Sequence, residues 1–114
     1  MYSDWIEITN EAIDANITRT SPGNYRLGRI RKDNDIKVRY VGRSDSDLAA
    51  RLKKHLGEGY KYFKFKYATS PKAAFEQECK DYHNYGELLI LDNKIHPDSP
   101  SGIRRECPIC RRIS

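Results

Sequence analysis

The sequence predicts an α+β fold, because segments with the two-residue periodicity of β-strands alternate with segments that have helical spacing and helix caps. The first two predicted strands, 24–31 and 36–42, flank the polar turn Lys32-Asp33-Asn34-Asp35, a pattern typical of an antiparallel hairpin. The third predicted strand, 60–68, alternates aromatic residues with lysine too regularly for a helix. Its core-facing side chains are expected to be Phe63, Phe65 and Tyr67.

Two helices are predicted on either side of the hairpin. The first spans about 10–17, with Thr9 or Asn10 as its cap, and is expected to cover the sheet. The second follows the hairpin directly, and Ser44 or Ser46 can cap it.

A third helix is predicted over 72–84, where Ser70 can act as the cap and Pro71 suits the first turn. The apolar run at 88–91 is too short to distinguish a strand from a helix. From 93 onward the sequence predicts mainly loop. A loop-rich tail of this kind requires something that holds it to the domain.

Length and charge restrict the possible functions. The 114 residues suffice for one domain and are too few for two. A net charge of +5 and a pI near 9.2 favour a polyanionic partner such as nucleic acid. The longest apolar run is far below the roughly 20 residues of a membrane span, and no segment resembles a signal peptide, so we expect a cytoplasmic location without membrane contact. Three cysteines without an export signal argue against a disulfide framework.

The most informative stretch of the chain begins at the end of the second strand and reads Y-V-G-R-S-D-S-D-L-A-A-R-L-K-K-H. Val38, Tyr40 and Gly42 alternate on one side of that strand, and the chain then continues as a helix. Arg51 and His55 are four residues apart, so they are expected to project from neighbouring turns of one helix face. A phenol, a guanidinium and an imidazole together suit the binding and cleavage of a phosphodiester.

The third helix carries a possible acidic site residue. Ala74, Glu78 and Tyr82 share one stripe at helical spacing, which predicts that Glu78 is directed inward. Glu76 lies about 200° around the helix from Glu78 and is expected to face water. The alternative for Glu78 is an ordinary solvated carboxylate.

Thiol and imidazole groups form a possible metal site near the C-terminus. Cys79 and His83 are four apart on the third helix, and Cys107 and Cys110 form a C-x-x-C pair. These four residues are ligands of the types that structural zinc prefers, with His96 as an alternative ligand, and they would anchor the tail. The alternative is one core cysteine and two free thiols in a mobile tail.

The order of short motifs resembles that of the GIY-YIG nuclease family over roughly residues 22–95. The matching residues are Gly23-Asn24-Tyr25, Tyr40-Val41-Gly42, Arg51, Glu78 and Asn93. Either tripeptide alone would be weak, whereas the full order is a fairly specific pattern. The resemblance implies a single domain with a three-stranded antiparallel sheet flanked by helices, followed by a loop-rich tail over 96–114. Asn24 stands where the family usually has an apolar residue, a departure that concerns packing more than chemistry.

The resemblance also implies roles for the two tyrosines and the arginine. Tyr40 would act as the general base or hold the attacking water, and Tyr25 would position the nucleophile and the scissile phosphate. Arg51 would neutralise the charge that develops on the phosphate oxygens. Because an unperturbed tyrosine has a pKa of about 10, Tyr40 would be a poor base at neutral pH unless the metal and Arg51 lowered that pKa.

Three further residues complete the implied site. Glu78 would ligate one divalent cation, Mg²⁺ or Mn²⁺, with water in most other positions. His55 could share the role of the base, and Asn93 would tie its loop to the site.

These residues lead us to expect a metal-dependent endonuclease that hydrolyses phosphodiester bonds in DNA, with specificity that is low or supplied by a partner protein or domain. The alternative is a non-catalytic, zinc-stabilised nucleic-acid-binding module on the same fold. An RNA partner would use the same basic and aromatic surface.

Overall fold

The computed structural model describes residues 1–93, 96–98 and 106–111, apart from the side chains of Leu88 and Leu89. Its strands are β1 (Ile6–Glu7), β2 (Gly23–Ile30), β3 (Ile36–Ser44) and β4 (Tyr62–Tyr67), and its helices are α1 (Asn10–Asn16), α2 (Leu48–Lys53), α3 (Pro71–Asn84) and α4 (Glu87–Ile90). The run at 88–91, undecided from the sequence, therefore lies largely in a short helix. The tail loops predicted over 99–105 and 112–114 lie outside the described residues. No helix in the described part of the chain is long and apolar enough to cross a membrane.

The α+β class is confirmed, but the described sheet has four strands instead of three. All pairs are antiparallel, and the spatial order is β1-β4-β2-β3. The additional strand is β1, in which Ile6 pairs with Phe63 and Glu7 pairs with Tyr62. A strand of two residues has no periodicity of its own, so the sequence carried no signal for it.

The predicted hairpin of β2 and β3 is confirmed, but it contains a β-bulge at Arg39, where the register with β2 shifts. Val38 therefore packs under α3 together with Val41, whereas Tyr40 packs against the cluster on the opposite face. The prediction that Val38 shares one side with Tyr40 and Gly42 was wrong, because the bulge reverses the alternation of the strand.

Both faces of the sheet are covered, one by α1 and α2 and the other by α3. The fully buried side chains of the first face are Ile13, Tyr25, Leu27, Leu48, Leu52 and Phe63. Each buried aliphatic or phenylalanine side chain contributes about 1.5–3 kcal/mol relative to an exposed one. Phe63 is in the core as predicted, and Phe65 and Tyr67 are partly buried against the same cluster. The second face is built by Val38, Val41, Tyr82 and Leu91.

Asn24, the departure from the apolar residue of the family motif, is fully buried between the sheet and α3. Its Nδ2 donates a hydrogen bond to the backbone oxygen of Ala74 at 2.8 Å. The amide therefore joins β2 to the helix that carries the acidic site residue, a contact that an apolar side chain could not make.

Side-chain caps define where the main helices begin. Thr9 caps α1 and Ser70 caps α3, as predicted. The cap of α2 is Asp47, so the prediction of Ser44 or Ser46 was wrong. The Ser44 hydroxyl instead accepts the backbone N–H of Asp47 at 2.9 Å, which holds the turn that leads from β3 into the helix.

Candidate functional site

A cavity of about 820 Å³ lies at the C-terminal end of β3, between α2, α3 and the segments 92–93 and 96–98. Five of the six predicted catalytic residues line it: Tyr40, Arg51, His55, Glu78 and Asn93. The sixth, Tyr25, is fully buried beside the rings of Tyr40 and His55. Residues spread over 69 positions of sequence, from 25 to 93, are thus gathered at one place.

The cavity wraps around β3, which is an edge strand of the described sheet. Tyr40 and Arg43 are three residues apart on this strand, so they project from opposite faces. Tyr40 meets the aromatic groups beside α2, whereas Arg43 meets Glu78 of α3. The edge position allows groups from both faces to reach the same space.

A chain of hydrogen bonds joins Glu58, His55 and Tyr25. Nδ1 of His55 lies 2.7 Å from Oε1 of Glu58, and Nε2 lies 2.7 Å from the hydroxyl of Tyr25. When Nδ1 carries the proton that Glu58 accepts, Nε2 becomes the acceptor for the phenol. His55 does not stand on the helix with Arg51 as predicted, because α2 ends at Lys53 and a turn follows. That turn, and not the helix, directs the imidazole into the cavity.

Tyr40 lines the cavity, as does Tyr60, whose hydroxyl is already bonded to Asp92. The ring of Tyr40 stacks on that of Tyr25 with centroids 6.3 Å apart and lies 4.7 Å from the ring of His55. Within the described residues its hydroxyl has no hydrogen-bond partner, so it is available to a ligand. Burial and the charge of Glu78 raise the pKa of Tyr40, and Arg51 offsets this only in part. The phenol is therefore protonated at neutral pH.

Both motif glycines are required by close packing. A Cβ at Gly42 would overlap the ring carbon and hydroxyl of Tyr25, and one at Gly23 would lie 2.6 Å from both the Leu48 side chain and the backbone oxygen of Lys66. Any larger residue would displace the buried phenol or separate the strands. The glycines therefore determine the geometry of the site without touching a ligand.

Glu78 is directed inward as predicted. Its ion-pair partner is Arg43, which was not among the residues predicted from the sequence. Nη1 of Arg43 lies 2.5 Å from Oε1 of Glu78, and Nε of the same guanidinium lies 2.8 Å from Asp45. The side chains of Arg43 and Glu78 are each 12% exposed. Burial raises the pKa of Glu78 to about 7 although Arg43 acts to lower it. The only sequence signal for Arg43 was its position directly after the Y-V-G motif.

Asn93 ties its loop to β3, as the resemblance implied. Its Oδ1 accepts the N–H of Val41 at 3.1 Å and its Nδ2 donates to the backbone oxygen of Val41 at 2.8 Å. The preceding residue, Asp92, pairs with Arg39 at 3.1 Å and accepts the hydroxyl of Tyr60 at 2.9 Å. The side-chain amide thus takes the place of a neighbouring strand at this edge of the sheet.

A second group of ligand-type side chains lies beside α3, and one of its members, His96, also lines the cavity. One ligand atom from each of His83, His96, Cys107 and Cys110 falls within 4.8 Å of all the others, and this group can hold a metal ion. This group contains His96, the alternative ligand named from the sequence, and it does not contain Cys79. Cys79 is instead fully buried with Phe75 and Cys107 in the contact between the tail and α3.

In both histidines of this group, a hydrogen bond at Nδ1, the ring nitrogen that faces away from the thiols, orients the imidazole. Nδ1 of His83 lies 2.5 Å from Oε2 of Glu87, and Nδ1 of His96 lies 2.9 Å from the backbone oxygen of Pro97. The Nε2 atoms form hydrogen bonds with the thiols, at 3.5 Å from Cys107 for His83 and 3.4 Å from Cys110 for His96. Histidine ligands of metals are usually oriented in this way.

The pKa of the Cys107 thiol is lower than that of an ordinary cysteine. Although burial opposes ionisation, the backbone N–H groups of Cys110 and Ile109 favour the thiolate and lower the pKa of Cys107 to about 6. Burial raises the pKa of Cys79, which agrees with its position outside the group. Cys107 is therefore suited to metal ligation and Cys79 to packing.

Comparison with protein-family models, with curated proteins and with solved structures found no match to this chain.

Proposed function

We propose that this chain is a metal-dependent endonuclease of the GIY-YIG type that hydrolyses phosphodiester bonds in DNA. The observation that carries the proposal is the shared cavity of Tyr40, Arg51, His55 and Glu78, which lie on four different segments of the chain. The net charge of +5 favours a polyanionic substrate. The order of the motifs supports the assignment to this nuclease type.

The residues of the cavity fit a hydrated divalent cation. Arg43 donates a hydrogen bond to Oε1 of Glu78, while Oε2 has no hydrogen-bond partner among the residues described. Mg²⁺ keeps several water ligands and uses one or two carboxylates, so a single free carboxylate oxygen in an open cavity is sufficient. When bound there, such a cation would supply charge neutralisation at a phosphate oxygen.

The chain's own residues then divide the work of binding and proton transfer. Arg51 is exposed and lines the cavity, where its guanidinium can pair with phosphate oxygens as negative charge develops. The unpartnered hydroxyl of Tyr40 can hold the attacking water. His55 lines the cavity with its Nδ1 held by Glu58, so Nε2 can accept the proton of the attacking water when that water takes the place of the Tyr25 phenol. This division removes the need for a deprotonated Tyr40.

One observation favours the alternative of a non-catalytic nucleic-acid-binding module. The ion pair between Glu78 and Arg43 satisfies both charges within the protein, as a purely structural pair would. In such a module Arg51 would only anchor phosphates. The two functions differ in whether Arg51 affects rate or affinity.

Arg51→Ala is expected to lower the cleavage rate by about 100-fold or more while weakening DNA binding only severalfold, because the guanidinium interacts most strongly with the transition state. The assay incubates plasmid and branched or single-stranded DNA with Mg²⁺ or Mn²⁺, and no cleavage should occur when neither ion is added. Lys72→Ala is the matched control, since Lys72 is an exposed cation outside the cavity lining. Wild-type protein that binds DNA but never cuts it would establish the non-catalytic alternative.

We further propose that the group of His83, His96, Cys107 and Cys110 holds a structural zinc ion. Zinc bonds of about 2.0–2.3 Å in a tetrahedron separate neighbouring N and S ligands by about 3.5 Å. Two of the four nitrogen–sulfur distances in this group, 3.5 Å and 3.4 Å, have about that value, and all four ligand atoms lie within 4.8 Å of one another. Thiolate and imidazole ligands select zinc over Mg²⁺. The ion would join the tail to α3, the anchor that a loop-rich segment requires.

Elemental analysis of protein purified without chelator is expected to find about one zinc per chain. His96→Ala should lose most of the zinc, whereas Cys79→Ala should retain it, because Cys79 lies outside the group. If Cys79→Ala loses the zinc and His96→Ala keeps it, Cys79 is the ligand, as the first of the two sets predicted from the sequence has it. Protein without zinc, whose Cys107 and Cys110 both react freely with a thiol reagent, would contradict the site altogether.

A further inference from the structure

A second concave surface lies between the β2–β3 hairpin and the C-terminal end of α3, with a volume of about 570 Å³. We call it the basic groove. Its charged lining residues are all cationic, and its aromatic residues are Trp5 and Tyr85. The cations are Arg26, Arg31, Lys37 and Lys64. None of the lining residues in the described chain is a carboxylate.

The positive charge of the basic groove is only partly compensated. Arg26 is neutralised by Asp81 at 2.8 Å. Arg31 pairs with Asp33 at 3.5 Å, but both side chains are more than half exposed, so this pair contributes little. Lys37 and Lys64 form no ion pair within the described residues, which leaves them available to an anion from outside.

Trp5 is positioned to report on that anion. The Nζ of Lys64 lies 4.9 Å from the centre of the Trp5 ring, and the edge of the ring packs against Gly28, where a Cβ would lie about 3 Å from it. The indole is half-buried and is the only tryptophan of the chain. An anion bound to Lys64 therefore lies next to a single fluorescent side chain.

We propose that the basic groove binds the phosphate backbone of a nucleic-acid strand at a place separate from the catalytic cavity. Charge complementarity carries this inference, because a lining of cations without a carboxylate attracts a polyanion and repels a cationic partner. The inference rests on the proposed nucleic-acid partner but does not require cleavage.

The position of the groove sets the length of nucleic acid that it can reach. Lys37 lines the groove and Arg43 lines the cavity, both on β3. Six residues of strand span about 20 Å at about 3.3 Å per residue. Phosphates of one duplex strand are spaced by about 3.4 Å along the axis, so the second contact would lie about six nucleotides from the reacting phosphate.

The test is a titration of Trp5 fluorescence with an oligonucleotide of about 20 nucleotides, single-stranded or duplex, without added Mg²⁺ or Mn²⁺ so that no cleavage occurs. We expect a change in the emission that saturates and weakens steeply with salt. Lys37→Gln with Lys64→Gln should weaken binding about 10-fold and reduce the slope of log affinity against log salt by about 2. Lys72→Gln with Lys80→Gln removes the same charge from exposed positions outside both cavities and should have a much smaller effect.

Three results would overturn the proposal: an unchanged Trp5 emission when binding is complete by anisotropy, equal effects of the two double variants, or equally tight binding of polyglutamate. Inorganic phosphate alone should produce no response below millimolar concentration, and a stronger response would mean a free-anion site instead. Cleavage is measured separately, so a fluorescence response without cleavage leaves the basic groove in place while removing the nuclease proposal.

Discussion

Glu78→Gln is expected to lower the rate of DNA cleavage by about 100-fold or more with little change in the fold, because it removes the ligand charge of the cavity without changing side-chain volume. The amide can still accept a hydrogen bond from Arg43 through its oxygen, so the contact between β3 and α3 is retained in part. Single-turnover cleavage and far-UV circular dichroism measure the two properties.

Glu76→Gln is the matched control for that variant. Glu76 lies on the same helix, is half-buried and is not part of the cavity lining, so its loss should change the rate by less than about 3-fold. Full activity of Glu78→Gln would refute the role of this carboxylate and, with it, the proposed fit of a divalent cation.

The wild-type rate should also depend on pH through Glu78. Burial raises the pKa of its carboxyl to about 7. Below that pH a proton competes with the cation for the carboxylate, and above it the carboxylate is free to bind the cation. Cleavage at limiting Mg²⁺ is therefore expected to rise about 10-fold from pH 6 to pH 8. A flat profile would show that the ionisation of Glu78 does not limit the reaction.

Removal of zinc is expected to lower the melting temperature by about 10 °C or more, since a loss of about 3 kcal/mol shifts a domain of this size that far. Zinc-site binding energy is also folding energy, because the ligand set is not preformed in the unfolded chain. The fully buried Cys107, packed on Phe75 and Cys79, would lose the ion that holds it in place. Thermal unfolding with and without chelator measures the effect.

Readdition of Zn²⁺ should restore the melting temperature, and Mg²⁺ should not, because thiolates bind Mg²⁺ poorly. Cys107→Ser should resemble the chelated protein, whereas Cys79→Ala should keep its response to chelator. Zinc removal should also reduce cleavage, since His96, Pro97 and Asp98 line the catalytic cavity. If chelator does not change the melting temperature, the four residues bind no structural metal.

The sequence alone determined most elements of the fold, though not β1 or α4, and the inward direction of Glu78. Periodicity, caps and turns depend on residues a few positions apart, so the hairpin, β4, α1 and α3 could be located from their own side chains. The stripe of Ala74, Glu78 and Tyr82 likewise follows from helix geometry within one segment. The resemblance to a nuclease motif added Tyr25 to the predicted site, together with the tie made by Asn93.

Only the tertiary structure decided which side chains meet. The β-bulge at Arg39 moved Val38 to the other face of the sheet, an event that depends on the register with β2. Arg43 reached Glu78 because an edge strand and a helix, 35 residues apart in sequence, are packed together.

The ligand set of the second site shows the same limit. Four-residue spacing places Cys79 and His83 on nearly the same side of α3, but the 40° offset between them is enough to turn Cys79 into a buried contact with Phe75. His96 then completes the group from a loop whose path no local pattern determines. Local geometry selects which residues are able to bind a metal, and the packing of distant segments selects which of them do.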